Sequence, residues 1–240
     1  MIRIPCRLAL CAGLSLTALS AASASVAQTA AKPATAKPAP TLPSPSPAAD
    51  YVIKGFRSAT FGMTQAQTKA AIASDFGSTA KIAENSNIIE GTQALQVSLD
   101  HLDPGPGAAL VTYIFGATSH TLSHINIVWV VPGEPTAEQR AAVVTAAVQL
   151  TNYFQNLPNP LKATAGATPT GPNGLLMFAG VDKKGAGIEV ATDGISYQAT
   201  KKEDNKETTS PPPKGPAILR VSYIANAANP DIQKIKPGAF

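Results

Sequence analysis

Three histidines are the residues of this sequence whose type and spacing could support metal or acid–base chemistry. His120 and His124 flank a strand-like run, where their spacing separates the two side chains by roughly 13 Å. One zinc ion cannot bridge that distance. His101 lies beside a turn that also contains Asp103. A metal site with two histidines and one aspartate therefore requires a fold that brings His101 and Asp103 opposite His124, and these three residues are the weak metal candidates of the sequence.

The sequence gives little support for paired catalytic carboxylates, a serine nucleophile or a phosphate-binding loop. Asp100 and Asp103 bracket a turn, where aspartate is common, and nothing indicates an acid of raised pKa beside a base. Serine catalysis needs a base and an oxyanion site, and the Gly-x-Ser-x-Gly motif does not occur. The glycine-containing run at 171–174 precedes a predicted strand, so no helix dipole favours a phosphate there. We therefore expect no catalytic residue and no cofactor.

Aromatic residues offer a candidate binding surface. Tyr113 and Phe115 share one face of a predicted strand because alternate residues point the same way. Trp129 lies on the next predicted strand and could stack with them. Two interpretations stay open at this point, ordinary core and a partly exposed patch that docks a partner. We take the three as the candidate binding residues.

The first 27 residues have the pattern of an export signal. Two arginines precede an uncharged apolar run over residues 8–22, and the Ser-Val-Ala motif at 25–27 fits the rule for signal cleavage. We predict cleavage after Ala27, with Ala24 as the alternative site. The apolar run is shorter than the roughly 20 residues that span a bilayer. No stable membrane span is expected after cleavage, and the mature protein is expected to be periplasmic or secreted.

Both cysteines lie within this predicted signal, at Cys6 and Cys11. Cys11 sits inside the apolar run rather than after it, so lipid attachment is not expected. The mature chain then has no cysteine, which excludes disulfides, thiolate nucleophiles and cysteine-ligated metals. The first 49 residues also hold four of the 19 basic residues and none of the 15 acidic ones. Because the remainder is formally neutral, the net charge of +4 does not indicate a nucleic-acid partner.

Length and composition bound the domain organisation. A chain of 240 residues with 44% hydrophobic residues has room for one domain or two small ones, and it is neither collagen-like nor disulfide-dense. Residues 28–49 are rich in Pro, Ala, Thr and Ser, so we predict a disordered tether. Residues 50–240 are predicted to form a single domain. Within it, the charged and proline-rich stretch 200–216 is predicted to be a flexible loop.

Two runs of Thr-x-x-Gln, which start at Thr64 and Thr136, are capping boxes that predict the beginnings of two helices. The first helix is predicted to reach Phe76 and the second to end near Asn156. Strand-like runs follow each helix, at 95–99, 110–115 and 124–131 and then at 175–180, 187–192 and 217–224.

Strands that follow one another in sequence favour antiparallel pairing. The predicted fold class is α+β, an antiparallel sheet with two main helices packed on one face. The repeated order of elements leaves a tandem αβββ repeat open, with halves at 56–131 and 133–224.

The run Phe61-Gly62-Met63-Thr64, which opens a short helix before a meander of strands, resembles the small periplasmic modules of two families. One is the outer-membrane-assembly lipoproteins of the SmpA/OmlA type, and the other is the β-lactamase-inhibitor-protein-like fold. The resemblance covers residues 56–131 and, more faintly, 133–224. Those families bind proteins and carry no catalytic residues, so the resemblance implies a protein-binding role. The chain departs from the lipoproteins because it lacks a suitable lipid-attachment cysteine.

The expected function is therefore that of an exported, non-catalytic binding or envelope-accessory protein that acts through protein–protein contacts. Its expected partner is an envelope protein rather than nucleic acid, and its oligomeric state is open. One alternative is an envelope hydrolase or metal-dependent enzyme that uses the region of His101, His124 and Asp103. A second alternative is a small-ligand carrier, which needs a closed apolar pocket between sheet and helices.

Overall fold

The computed structural model describes residues 50–157, 161–201, 206–209 and 211–234. The predicted signal peptide (1–27) and the predicted tether (28–49) lie outside the described residues.

Two helices and twelve strands make up the described chain. Helix α1 spans Gln65–Phe76 and helix α2 spans Ala137–Gln155. The strands before α2 are β1 (Gly55–Phe56), β2 (Ala59–Thr60), β3 (Ile82–Asn87), β4 (Thr92–Leu99), β5 (Ala109–Phe115) and β6 (Leu122–Val131). The strands after α2 are β7 (Lys162–Pro169), β8 (Leu175–Val181), β9 (Gly187–Asp193), β10 (Gln198–Lys201), β11 (Lys206–Thr209) and β12 (Ala217–Ile224).

An antiparallel sheet of eight strands forms the centre of the fold. Its strand order is β3-β4-β5-β6-β12-β9-β8-β7, and every neighbouring pair is antiparallel. The remaining strands form two short antiparallel pairs, β1–β2 and β10–β11. The second of these pairs runs into the stretch 200–216, for which the sequence predicted a flexible loop. The predicted α+β class, with an antiparallel sheet and two helices, is confirmed.

Each helix is followed by four strands of this sheet, whereas the sequence predicted three. The strands that the sequence missed are β3 and β7, which lie at the two edges of the sheet. The first is mostly polar and the second consists largely of Ala, Thr and Gly. Neither therefore shows the apolar alternation on which strand prediction depends. The last strand of each run, β6 and β12, pair with each other at the middle of the sheet.

Both helices begin at the predicted capping boxes. The side-chain oxygens of Thr64 and Thr136 each accept a hydrogen bond, at 3.3 Å, from the backbone amide of a glutamine three residues later. Those glutamine side chains accept in return from the backbone amides of the two threonines, at 2.9 Å. Helix α1 ends before Gly77, as predicted, and this glycine has a φ of 90° that other residues rarely adopt. The first four backbone amides of a helix have no acceptor in the helical hydrogen-bond pattern, and each capping box supplies acceptors for two of them.

The core lies against one face of the sheet. A single cross-strand row of aliphatic and aromatic side chains runs through it, and each is at most 2% exposed: Val111, Ile127, Val221, Val190 and Phe178. From α2, Phe154 stacks on Phe178 with ring centroids 6.0 Å apart and meets Tyr223 of β12 edge-on at 6.3 Å. From α1, Ile72 is fully buried.

Helix α1 also contacts the first strands of the sheet through polar side chains. Gln65 hydrogen-bonds to Gln93 of β4, and Lys69 forms a salt bridge of 2.5 Å with Glu84 of β3. Both ends of that salt bridge are exposed in large part, so its contribution to stability is small, about 0–1 kcal/mol.

Candidate functional site

The three predicted aromatic residues lie in the core. Tyr113 is 0%, Phe115 1% and Trp129 2% exposed. The indole Nε1 of Trp129 donates a buried hydrogen bond of 2.7 Å to the carbonyl oxygen of Leu102. The hydroxyl of Tyr113 has no hydrogen-bond partner among the described residues, and burial raises its pKa above the ordinary value. Of the two interpretations that the sequence left open, ordinary core therefore matches these positions, and no partner can reach them without local opening.

The weak metal candidates do not meet. His101 Nε2 lies 2.9 Å from Oδ1 of Asp103, and both side chains are exposed. They follow the end of β4, where Leu99 and Ala109 pair beside Trp129. His124 lies five residues from Trp129 along β6, which is roughly 16 Å. Throughout the parts of the chain that the structure describes, no three His, Cys, Asp or Glu side chains form a group that could hold a metal ion.

His124 has a distinctive environment of its own. Its Nδ1 lies 3.0 Å from the hydroxyl of Ser123. Burial lowers its pKa below 6.5, and the carboxylates of Glu90 and Asp231 act in the opposite direction. This histidine is therefore held mainly neutral near pH 7.

A C-terminal segment, residues 225–234, covers the end of the sheet near His124. The amide of Ala225 donates to Ser123, and the amide of Gln233 donates to Glu90, both at 2.8 Å. Asp231 accepts from the amides of Thr118 and Ser119 at 3.0 Å each. The segment thus ties the β3–β4 and β5–β6 turns together.

The face of the sheet opposite the core presents side chains that alternate with the core residues along six strands, from β4 to β8 in the sheet order. We call this surface the open face. It contains a polar row that follows the strand register across five strands: Gln96, Thr112, Asn126, Ser222 and Glu189. The row begins with a weak hydrogen bond of 3.4 Å from Gln96 to Thr112. Ser222 is only 5% exposed, whereas the other four side chains are partly exposed. Amides and hydroxyls both donate and accept hydrogen bonds, so the accessible amides and hydroxyls of the row can bind polar groups of either kind.

A row of mainly aliphatic side chains runs beside the polar row on the open face. In register order it contains Leu110, Val128, Arg220, Ala191 and Leu176. Its aliphatic members are partly exposed. Val130, on β6 beyond this row, is 43% exposed and pairs with Ile218. The open face therefore offers apolar surface to solvent beside hydrogen-bonding groups.

Arg220 is the cation at the middle of the open face. About half of its side chain is exposed, and its guanidinium lies 4.0 Å from Glu189, which is long for an ion pair. It lines a hollow of about 380 Å³ together with Ile218, Ala191, Asp193 and the β7–β8 turn. A guanidinium in this position can bind a carboxylate with two parallel hydrogen bonds.

The sequence reasoning missed these residues although a signal for them was present. The last strand reads Ala-Ile-Leu-Arg-Val-Ser-Tyr-Ile, in which Ile218, Arg220 and Ser222 alternate with core residues. That alternation marks a strand with one covered and one open face.

A second hollow, of about 630 Å³, lies beside the first turns of α2. Its polar centre is Arg140, whose guanidinium donates to the carbonyl oxygens of Gly194 and Gly215 and lies 3.5 Å from Glu134. Glu134 in turn accepts from the amide of Gly215 at 2.8 Å. These contacts join α2 to two loops, so the charged groups of this hollow serve the fold.

No helix among the described residues is long and apolar enough to cross a membrane. The resemblance of residues 61–64 to the periplasmic modules stays a prediction, because no comparison with known proteins bears on it. No family model matches the chain, and neither the curated proteins nor the solved structures yield a match.

Proposed function

We propose that this chain is an exported, non-catalytic protein of the cell envelope that binds a protein partner through the open face of its sheet. The observation that carries the proposal is the pair of adjacent rows on that face, one polar and one mainly aliphatic, with Arg220 between the apolar side chains. Apolar side chains beside hydrogen-bonding groups are the composition of protein interfaces. Arginine is also among the residues enriched at their energetic centres.

The proposed surface is large enough for such a complex. Six strands at about 4.8 Å and seven residues at about 3.3 Å cover on the order of 650 Å². A standard interface buries roughly 800 Å² on each partner. Loops around the open face, such as the β7–β8 turn beside Arg220, would supply the remainder. The partner expected from this chemistry presents apolar side chains around a carboxylate that meets Arg220.

The proposal includes the finer architecture expected from the sequence. Both helices cover the same face, which is supported by the contacts of Phe154 with the core and by the bond between Gln65 and Gln93. Two helix-plus-strand units form a tandem arrangement, which is supported by the pairing of β6 with β12 at the middle of the sheet. Such an arrangement leaves the open face for a partner.

Export is tested by the N-terminus of the mature protein. The full chain is expressed with its signal in a bacterial host, and the protein released from the periplasm is sequenced from its N-terminus. We expect the mature chain to begin at Gln28, and a start at Ser25 would correspond to the alternative cleavage site. Retention of the full chain in the cytoplasm would overturn the proposed location.

Binding is tested by site-directed photo-crosslinking in intact cells of the native host. A photoreactive phenylalanine derivative replaces Val128 or Val130 on the open face. The matched control carries it at Val148, an outward-facing position of α2 that is 40% exposed. We expect one protein to be crosslinked reproducibly from the open face and not from Val148, and Arg220→Glu to abolish that product. Equal products from both surfaces, or none from the open face, would contradict the proposal.

A further inference from the structure

Strand β3 presents an unprotected edge. It is the terminal strand of the sheet, and within the described ranges β4 is the one strand that pairs with it. Five of its six side chains are exposed. The opposite edge, β7, ends in Pro169 and contains Ala167 with a φ of 44°. Proline and irregular backbone interrupt further pairing, so β3 is the edge that can accept another strand.

A knob of apolar residues follows β3 directly. Ile88 and Ile89 form the turn into β4, and each is 88% exposed. The turn is held in place, because the side-chain oxygen of Asn87 accepts from the amides of Ile89 at 3.1 Å and Glu90 at 3.2 Å. Isoleucine is among the residues most often buried in proteins. Two adjacent isoleucines on a fixed turn therefore mark a contact surface.

A groove of about 650 Å³ lies at the other end of the same strand. Its lining is mixed: Phe76, Ala80, Ile82 and Leu99 contribute apolar surface, and Lys81, Gln96, Ser98 and Asp100 contribute polar groups. Strand β3 thus has an apolar knob at its end and a partly apolar groove at its start.

We propose that β3 pairs antiparallel with β3 of a second copy of this chain about a two-fold axis, so that the Ile88–Ile89 turn of each copy enters the groove of the other. A two-fold interface is self-complementary, since each copy contributes the same surface. Antiparallel pairing reverses the strand, which brings the end of one β3 beside the start of the other. The knob and the groove then meet twice in each dimer.

The register of this pairing follows from the charges. A two-fold axis perpendicular to the sheet places one residue opposite its own equivalent. An axis at Glu84 would oppose two carboxylates, which is unfavourable. An axis at Asn85 instead places Glu84 opposite Ser86 and Ile82 opposite Ile88 of the second copy. It also brings Lys81, before the strand, towards Glu90, after the strand, so that unlike charges meet at both ends.

The groove is lined in part by Gln96 and Leu110, so the dimer contact reaches the margin of the open face. The inference uses neither Arg220 nor the middle of that face, and it therefore stands or falls separately from the proposed function. A two-fold axis perpendicular to the sheet keeps both open faces on one side. The dimer would therefore present two equivalent binding surfaces on a continuous sheet, which favours a partner with two matching sites.

The first test is a single cysteine at the axis. Residues 28–240 contain no cysteine, so Asn85→Cys in the mature chain adds the only thiol. Directly opposed residues of antiparallel strands have Cα atoms about 4.5–5.5 Å apart, within the range for a disulfide. We expect mild oxidation to give a disulfide-linked dimer. Ser86→Cys, the matched control, faces Glu84 and should not link to itself, whereas a mixture of Ser86→Cys and Glu84→Cys should form the mixed disulfide.

The second test measures the mass of the purified mature protein by sedimentation equilibrium. We expect a dimer, and we expect Ile88→Lys with Ile89→Lys to weaken dimerisation by roughly tenfold or more. Val148→Lys is the control, because it places a lysine on a partly exposed aliphatic position of α2, away from β3. A monomer at all soluble concentrations would overturn the inference. So would a dimer that the isoleucine variant leaves intact, or one that links equally through residues 85 and 86.

Discussion

The backbone amide of Ile53 donates a buried hydrogen bond of 2.9 Å to Oδ2 of Asp182, 129 positions further along the chain. The other oxygen of Asp182 accepts from the amides of Lys184 at 2.8 Å and Ala186 at 3.0 Å. Asp182 itself is 8% exposed. One carboxylate thus closes the β8–β9 turn and fastens the segment before β1 to it.

Replacement of this carboxylate should destabilise the whole domain. Asp182→Ala leaves three amide donors without their acceptor, and a buried unsatisfied donor costs about 1–3 kcal/mol. We expect the free energy of unfolding to fall by about 3 kcal/mol. Urea titration followed by the fluorescence of Trp129, the one tryptophan of the chain, measures it. Asp182→Asn should lose less because one acceptor oxygen remains, and Asp103→Ala, at an exposed aspartate, should change little.

The approach of Gly105 to Trp129 gives a second prediction. A Cβ atom at Gly105 would lie 2.3 Å from the indole Nε1, which the hydrogen bond to Leu102 holds in place. Gly105→Ala should therefore destabilise the protein by about 1–3 kcal/mol through overpacking, with a changed near-ultraviolet circular dichroism spectrum of Trp129. Gly171→Ala is the control because nothing lies within 4 Å of its Cβ position. Equal stability of the two variants would show that the indole can move aside.

The parts of the fold that could be predicted are those in which local chemistry and tertiary structure agree. The capping boxes at Thr64 and Thr136 act within one helical turn, so the sequence alone places both helix starts. Likewise β12 was predicted over the residues that it occupies, because its apolar alternation reflects one covered face. Strands β3 and β7 were missed because an edge strand owes its conformation to the pairing of its neighbour rather than to its own residues.

The site was harder to predict because alternation does not tell which face is covered. Tyr113 and Trp129 were correctly placed on neighbouring strands, yet Val128 beside Trp129 is as apolar as a core residue. In the folded chain Trp129 is 2% exposed and Val128 is partly exposed, a difference that residue type does not encode. The distance between His101 and His124 depends on how β4, β5 and β6 align along the sheet. The spacing of the two histidines in the sequence does not determine that alignment.

Asp231 gives a prediction for acid conditions. Hydrogen bonds from the side chain and the backbone amide of Ser119, supported by Thr118, lower its pKa from 3.8 to about 2. A lowered folded-state pKa stabilises the fold above the unfolded value, and that stabilisation is lost as the pH falls from about 4 to about 2. Asp231→Asn should therefore show a smaller loss of thermal stability across this window than the wild type. The effect is expected to be modest because the carboxylate is exposed to solvent screening.

Asp103→Asn serves as the control for this measurement, because Asp103 is also exposed but does not hold the C-terminal segment. An unchanged acid response of Asp231→Asn would mean that the amides of Thr118 and Ser119 do not favour the charged carboxylate.

His124 gives the corresponding prediction near neutral pH. Because burial lowers its pKa below 6.5, with Glu90 and Asp231 opposing the shift, the unfolded chain takes up the proton more readily than the folded chain. Stability must then fall as the pH drops below 6.5 and rise again towards higher pH. His124→Gln should flatten this dependence in urea titrations between about pH 7.5 and 5.5. Nuclear magnetic resonance can follow the protonation of the His124 imidazole directly. Asp231→Asn should lower the pKa of His124 further, because one of the two carboxylates that oppose the shift is gone. A titration of His124 at or above 6.5 would show instead that the two carboxylates outweigh burial, and the pH dependence would then have the opposite sign.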